Sequence, residues 1–420
     1  MILPTAAASA RVERTRWPNG LVICTQHVPG VRSVALGAWV RAASLHETPE
    51  LMGVSHMLEH LVFKGTARRS AKALALALES LGGSLDAYTT REYTAFQARV
   101  LDRDLGVAAD VLHDVLFAPL LRDEDLALER GVILEEIAMV EDTPDDLVFE
   151  LHDRLLWGAH PYGYPILGTR ETVGAIPGEA LRARHAALYH PGNIVIAAAG
   201  NLTHEGVLAA LRNAGWADVP AGDARPMAVP PVEPAAPARK RVIRKMAQTH
   251  VVIGSTTIPL GSPDRPAYSI VNALLGGGMS SRLFQRVRED LGLAYAVYSY
   301  QSLHPEVGVH GVYVGTAPAT AAKATQAIRD ELERLVQEGI PEDELALGRQ
   351  QFVGQYLLSL ESVSARMYRA ASLELYDEPD RTVDEVIARI EAVTPADALR
   401  VAQAWFAPDR QTTLTLGPRS

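Results

Sequence analysis

His56, Glu59 and His60 are the residues from which chemistry can be read most directly. They lie in Gly53-Val-Ser-His-Met-Leu-Glu-His-Leu-Val-Phe-Lys-Gly-Thr66, in the order H-x-x-E-H. Met52, Leu58, Leu61 and Val62 recur at helical spacing and Lys64-Gly65 supplies a stop, so the spacing predicts a helix. Side chains four apart share a helix face, which lets both imidazoles address one cation. Neutral imidazole is a good zinc ligand. Glu59 is adjacent to His60 and ill placed as a third ligand, yet it lies on the side of His56. From there its carboxylate reaches a water on the metal, which is the place of a general base. Histidine pairs at this spacing are also common on helices that hold no metal; the glutamate between them and the order of the three are what make this pair specific.

H-x-x-E-H reverses the better known H-E-x-x-H and is a zinc-peptidase signature. On these residues the chain resembles the pitrilysin-type metallopeptidases, the inverzincins, and within them the short branch that includes the mitochondrial processing peptidases and their bacterial relatives. That family has a third ligand, a glutamate, roughly seventy-five residues beyond the second histidine in an E-R-x-x-I-x-x-E pattern. Leu128-Glu-Arg-Gly-Val-Ile-Leu-Glu-Glu-Ile137 matches it, with Glu136 at the ligand position. The resemblance implies one zinc ion per chain held by His56, His60 and Glu136, with Glu59 as the base in peptide-bond hydrolysis. Glu129 lies two helical turns before Glu136 on the same face and is expected to support a ligand from behind. Glu135 points to another face and is expected in solvent.

Further matches extend the resemblance. Asp86-Ala-Tyr-Thr89 is similar to the family's N-A-Y-T, which sits beside the metal-binding histidines; Asp86 stands where the family has Asn and is expected to orient one histidine as an anionic acceptor. The next strand, Glu92 to Val100, is the expected sheet edge onto which an extended substrate adds. Phe63 is a candidate wall of the pocket beside the scissile bond, or a core aromatic. Arg288-Glu-Asp-Leu-Gly-Leu-Ala-Tyr295 resembles a paired Arg and Tyr seven apart, which in relatives comes from the second domain and faces the metal. It implies that Arg288 binds a substrate carbonyl or carboxylate and that Tyr295 hydrogen-bonds the oxyanion. Chains of this length pair in that family, so the resemblance implies a homodimer whose two sites each use the first domain of one subunit and the second of the other.

The scaffold for these groups can be traced along the chain. Arg11 to Arg16 and Leu21 to Gln26 flank Pro18-Asn-Gly20, a hairpin signal, and Ser33 to Ala43 reads as a further strand. Helices are expected over 71–81, 101–116, 124–140, from Pro144 to Trp157 and from about Gly178; strands over 84–88, 93–100 and 194–199. Residues 217–239 are Pro/Ala-rich without an apolar period and read as a linker between domains 1–216 and 240–420. The halves look alike: Pro177-Gly-Glu-Ala-Leu-Arg182 recurs as Pro395-Ala-Asp-Ala-Leu-Arg400, and in each half a proline, an apolar strand and a glycine follow (Pro191 to Gly200; Pro408 to Gly417). Each half mixes helices with hairpin strands, so the expected class is α+β, two similar domains of mixed antiparallel sheet and helices related by internal duplication and joined by the Pro-rich linker.

Composition narrows the function. The chain has 420 residues, 48% hydrophobic and 21% charged, with a net charge of −10. That balance argues against nucleic acid and weakly favours basic peptides. A single cysteine, Cys24, excludes an internal disulfide and a Cys-rich metal site; it fits a reducing compartment and alternates with apolar neighbours as a small buried residue. There is no signal peptide and no run of eighteen apolar residues, so a bacterial cytoplasmic protein is expected. Gly276-Gly-Gly-Met-Ser-Ser281 lacks the G-K-[ST] ending of a phosphate loop and reads as a hinge or substrate-side loop. His113, His152 and His160 lack companions. The leading reading is a zinc endopeptidase for peptides or presequence-like segments. A non-catalytic subunit on the same fold, a non-peptide hydrolase, and cobalt or manganese in place of zinc stay open on sequence alone.

Overall fold

Two sheets carry the chain, and both repeat one strand pattern. The computed structural model describes residues 11–223, 225–233 and 236–419. The first sheet is built from β1 (Glu13–Arg16), β2 (Val22–His27), β3 (Ser33–Val40), β4 (Ser84–Thr89), β5 (Thr94–Leu101) and β6 (Ile194–Gly200), in the order β1-β2-β6-β3-β5-β4. Only β2 and β6 run parallel. The second contains β7 (Arg239–Ile243), β8 (Thr249–Thr257), β9 (Ala294–Leu303), β10 (Gly308–Thr316) and β11 (Thr412–Gly417), in the order β7-β11-β8-β10-β9, with only β7 and β11 parallel. The series β2-β6-β3-β5-β4 thus recurs strand for strand and sense for sense. The fold is α+β, and the internal likeness of the halves is a likeness of topology.

The helices of the first half are α1 (Val54–Val62), α2 (Ala71–Glu79), α3 (Leu105–Phe117), α4 (Asp123–Asp142), α5 (Pro144–Trp157), α6 (Arg170–Ala175), α7 (Gly178–Leu188) and α8 (His204–Asn213). Those of the second are α9 (Arg265–Gly276), α10 (Ala321–Glu338), α11 (Glu342–Ser359), α12 (Val363–Leu375), α13 (Val383–Glu391) and α14 (Pro395–Trp405). Among the described residues none is long and apolar enough to cross a membrane. Between 214 and 238 the described residues form no helix or strand.

The compact units cross the linear division at 217–239. One comprises 1–138, 164–229 and 358–384; the other comprises 139–163, 230–357 and 385–420. Burial explains the trade. β6 reads Ile-Val-Ile-Ala-Ala-Ala-Gly and is buried along its whole length, as a strand covered on both faces must be. α1, α3 and α4 cover one face of the first sheet, contributing Met57, Leu61, Leu112 and Ile133 to its core. The other face, with Val22, Cys24, Ala35, Trp39 and Val195, is covered by Val363, Met367, Ala370 and Ala371 of α12. In the second unit the matching cover comes from α5, whose Leu147 and Val148 pack on Val252, Tyr313, Leu414 and Leu416. A division by linear sequence could not anticipate this, because α5 and α12 lie among one half's helices in sequence but pack on a strand face built from the other half's residues. Cys24 is one of the covered residues, and burial pushes its thiol up to about 12.

Candidate metal centre

α1 is only nine residues long and is held by its apolar side: Val54, Met57, Leu58, Leu61 and Val62 are all essentially inaccessible. That fixes the opposite side, where His56 and Glu59 are buried and His60 is partly so. The imidazole centroids of His56 and His60 are 4.6 Å apart. α4 runs alongside with Glu129 and Glu136 on one face. Glu136 Oε2 stands 3.7 Å from His56 Nε2, and Glu136 Oε1 stands 3.7 Å from His60 Nε2. One ligand atom from each of the three residues lies within 4.8 Å of the others, and no second such group of His, Cys, Asp or Glu occurs among the described residues.

The chemistry of this set fits a small divalent cation. At 3.7 Å the carboxylate and imidazoles are too far apart to be hydrogen-bonded to each other. Two ligands about 2.0–2.1 Å from a tetrahedral zinc stand roughly 3.4 Å apart, close to the spacing seen. The His60 tautomer agrees. His60 Nδ1 donates to Glu129 Oε2 at 3.0 Å, which leaves Nε2 with its lone pair toward Glu136. Lys64 Nζ, 2.6 Å from Glu129 Oε1, holds that carboxylate from the far side. His56 is kept neutral, and so able to ligate: burial first, then the charge of His60, pushes it down to about 4. Glu135, by contrast, is exposed.

Glu59 faces the same space. Thr89 Oγ1 donates to its Oε2 at 2.6 Å, and Thr89 is in turn 3.5 Å from Thr94 Oγ1. Burial raises the Glu59 carboxyl and Glu136 adds to the rise, opposed by Thr89 and by His60. A carboxylate raised in this way accepts a proton more readily than an exposed one.

Two expectations change in the structure. Asp86 does not orient a histidine. Alternation along β4 puts Leu85, Ala87 and Thr89 on the side of α1, with Leu85 and Ala87 packed on its core, so Asp86 lies on the opposite face, exposed and across from Gln97. The residue of this motif that meets the centre is Thr89, on the same strand face as Leu85 and Ala87. The sheet edge is β4, since the strand expected to be the edge, β5, is paired on both sides, by β3 and by β4. Phe63 caps α1, half-buried on the core with its ring centroid 6.0 Å from that of Phe96.

In the second unit Arg288 and Tyr295 meet. The guanidinium carbon of Arg288 is 4.8 Å from the centre of the Tyr295 ring and 4.6 Å from that of Phe284, the second a contact that sequence reasoning missed. Tyr295, 79% exposed, lies on the edge strand β9. Gly276–Ser281 follows a helix, not a strand. His113 packs on Phe117 and Trp216, and His152 is wholly buried in the second unit.

Known proteins resemble the chain along most of its length. Residues 22–170 match a family model described as Insulinase (Peptidase family M16), and residues 175–352 match one described as Peptidase M16 inactive domain. The chain is 41% identical over 400 residues to a Streptomyces coelicolor protein named an uncharacterized zinc protease, covering 93% of this chain and 86% of that one. A Bacillus subtilis protein with the same description is 37% identical over 398 residues, covering 95% and 96%. Among solved structures, a peptidase M16 inactive domain from Pseudomonas fluorescens aligns with a TM-score of 0.91 at 21% identity over 97% of this chain and 98% of that one. A protease from Helicobacter pylori aligns with a TM-score of 0.90 at 20% identity, over 98% and 100%. At these identities the two structures speak to fold alone.

Proposed function

The chain belongs to peptidase family M16, and we propose that it is a zinc-dependent endopeptidase acting on peptides or unfolded, presequence-like segments. The observation that carries this reading is the meeting of His56, His60 and Glu136 around one point, with Glu59 held beside it by Thr89. Relatives named as zinc proteases support it.

His56, His60 and Glu136 would hold the ion. Bound there, zinc supplies a Lewis acid that polarises the scissile carbonyl and acidifies a water. Glu59 takes the proton of the attacking water at the oxygen not engaged by Thr89 and returns it to the leaving amine. Thr89 fixes which oxygen that is. Glu129 holds the His60 tautomer, and Lys64 holds Glu129. An extended substrate suits the free edge of β4, beside α1 in the same unit. Arg288, held against the Phe284 and Tyr295 rings, would grip a carbonyl or carboxylate, and Tyr295 is accessible to donate to an oxyanion. In a homodimer, Arg288 and Tyr295 of one copy would serve the zinc centre of the other. A cytoplasmic location completes the reading.

A second reading, a non-catalytic partner subunit, draws on the description of the family model that matches residues 175–352 as inactive. Cleavage of a quenched, unfolded peptide of about twenty residues, long enough to span an extended site, separates the two. With added zinc, wild type cleaves and Glu59→Gln does not, while both bind zinc. Equal cleavage by both removes Glu59 as the base; bound zinc without cleavage by wild type favours the partner subunit.

A further inference from the structure

The start of α1 lacks the cap that its own sequence would ordinarily provide. Its N-cap residue is Gly53, at φ +89°, and a Cβ there would stand 2.6 Å from the Leu167 carbonyl oxygen and 2.9 Å from Gly168 Cα. A Ser, Thr or Asp cap is therefore excluded by contact, and the first amides of the helix need an acceptor from elsewhere. Glu47 supplies it. Its Oε2 accepts from Gly53 N and its Oε1 from Ser55 N, each at 2.8 Å, and the residue is 1% exposed. Arg184 of α7 braces the same turn, donating to Ser55 Oγ at 3.0 Å and to the His46 carbonyl at 3.1 Å. The next residue after Ser55 is His56.

We propose that Glu47 is a positioning residue for the metal centre: by clamping the Gly53 and Ser55 amides, it sets the rotation and height of α1 at which His56 and His60 both face Glu136. This inference rests on the zinc-peptidase reading. α1 has two and a half turns, so a first turn that slips carries His56 with it. Burial raises the Glu47 carboxyl, opposed by the charge of Arg184 and by the Ser55 and Gly53 amides. Arg184 keeps the clamp ordered through contacts that do not involve the metal.

The test reads metal affinity as well as activity. Zinc affinity of the full chain is measured by competition with a chromogenic chelator, and thermal stability is measured on the chelator-stripped protein. The proteins are wild type, Glu47→Gln and Glu374→Gln. Glu374 is a similarly buried acid on α12, paired with Arg14, Arg16 and Arg41 on the other side of the sheet. Both substitutions are expected to lower stability. Glu47→Gln alone is expected to weaken zinc binding, by about 10- to 100-fold. Arg184→Lys, a milder variant for the case that Glu47→Gln fails to fold, is expected to weaken it by a smaller factor. Unchanged zinc affinity in Glu47→Gln overturns the proposal, as does an equal loss in Glu374→Gln, which would make the effect one of general stability. Should Glu47→Gln not fold, unchanged zinc affinity in Arg184→Lys overturns it. If wild type itself binds no zinc, the zinc-peptidase reading falls and takes this inference with it.

Discussion

α1 with α4, and α9 with α11, are the same helix pair built twice, once in polar and once in apolar residues. Asp123-Glu-Asp-Leu-Ala-Leu-Glu-Arg130 in α4 answers to Glu342-Asp-Glu-Leu-Ala-Leu-Gly-Arg349 in α11. Leu126 and Leu345 are buried in both, and Leu128 and Leu347 are 70% and 66% exposed. The two arginines play the same part, with Arg130 donating to the Val173 and Ile176 carbonyls and Arg349 to that of Val393. The glutamate is what changes. Glu129, which holds His60, is answered by Gly348, and Glu136 by Gln355. Across from Gly348 stand Ile270 and Leu274, four apart on α9 like the two histidines on α1. A Cβ at Gly348 would lie 2.8 Å from Leu274 Cδ1 and 3.0 Å from Ile270 Cγ2. One copy of the frame leaves room between its helices for an ion and charged ligands, while the other closes the gap with methyl groups. The frame alone therefore does not make the site; a few side chains placed on it do.

Substitutions that move one copy toward the other put this contrast to the proof. The largest effect is expected for His60→Leu, which writes the second unit's residue type into the first: zinc binding, read by metal analysis, and peptide cleavage should both fall to background. Retained stoichiometric zinc would show that His60 is no ligand. Glu129→Gly comes next. It should leave the ligand count intact but free the His60 ring, lowering zinc affinity about 10- to 100-fold in the same chelator competition. Thr89→Val removes the donor to Glu59 and should lower kcat about tenfold with zinc content and KM little changed; a KM effect alone would place Thr89 in substrate binding instead.

Stability effects are smaller. Gly348→Ala should destabilise the second unit by about 1–3 kcal/mol through overpacking, seen in chemical denaturation, with no change in zinc affinity. A neutral outcome would mean that Leu274 moves aside. The buried histidines of both copies share one pH signature. Burial pushes His56 and His152 down to about 4 and His310 to about 3. The unfolded chain therefore binds protons below about pH 6.5 that the folded chain refuses, and stability falls as pH falls from there toward 4. The expected loss for the zinc-free protein between pH 7 and pH 5 is about 2 kcal/mol per such histidine. Denaturation curves that superimpose at the two pH values would contradict the neutral state. Zinc should spare His56 alone.

The histidine pair was legible because it is written in short-range spacing, His56 and His60 one turn apart on a helix that periodicity reveals; Glu136 was reached through the resemblance of its E-R-x-x-I-x-x-E stretch, and the structure brings the three together. The class of fold was legible for the same reason, from strand and helix periods and from Pro177 to Arg182 recurring as Pro395 to Arg400. Asp86 shows where such reading stops. Its motif was matched, but which face of β4 meets α1 depends on how the strand pairs and packs, and that choice put Thr89 at Glu59 and Asp86 on the far side. The edge strand was misjudged for a related reason: the pairing of β4 with β5 is local, but which of the two joins β3 is decided by a partner distant in sequence. Glu47 and Phe284 went unremarked because a buried acid in a loop and a phenylalanine in a helix look ordinary until their neighbours are known. The elements, the repeat and the candidate histidine pair were written in the chain itself, as consequences of local periodicity and side-chain chemistry, and Glu136 through the resemblance of its motif. Which helix covers which sheet face, which residue caps α1 and which hydroxyl holds Glu59 were settled by packing, because each depends on groups distant in sequence that burial brings into contact.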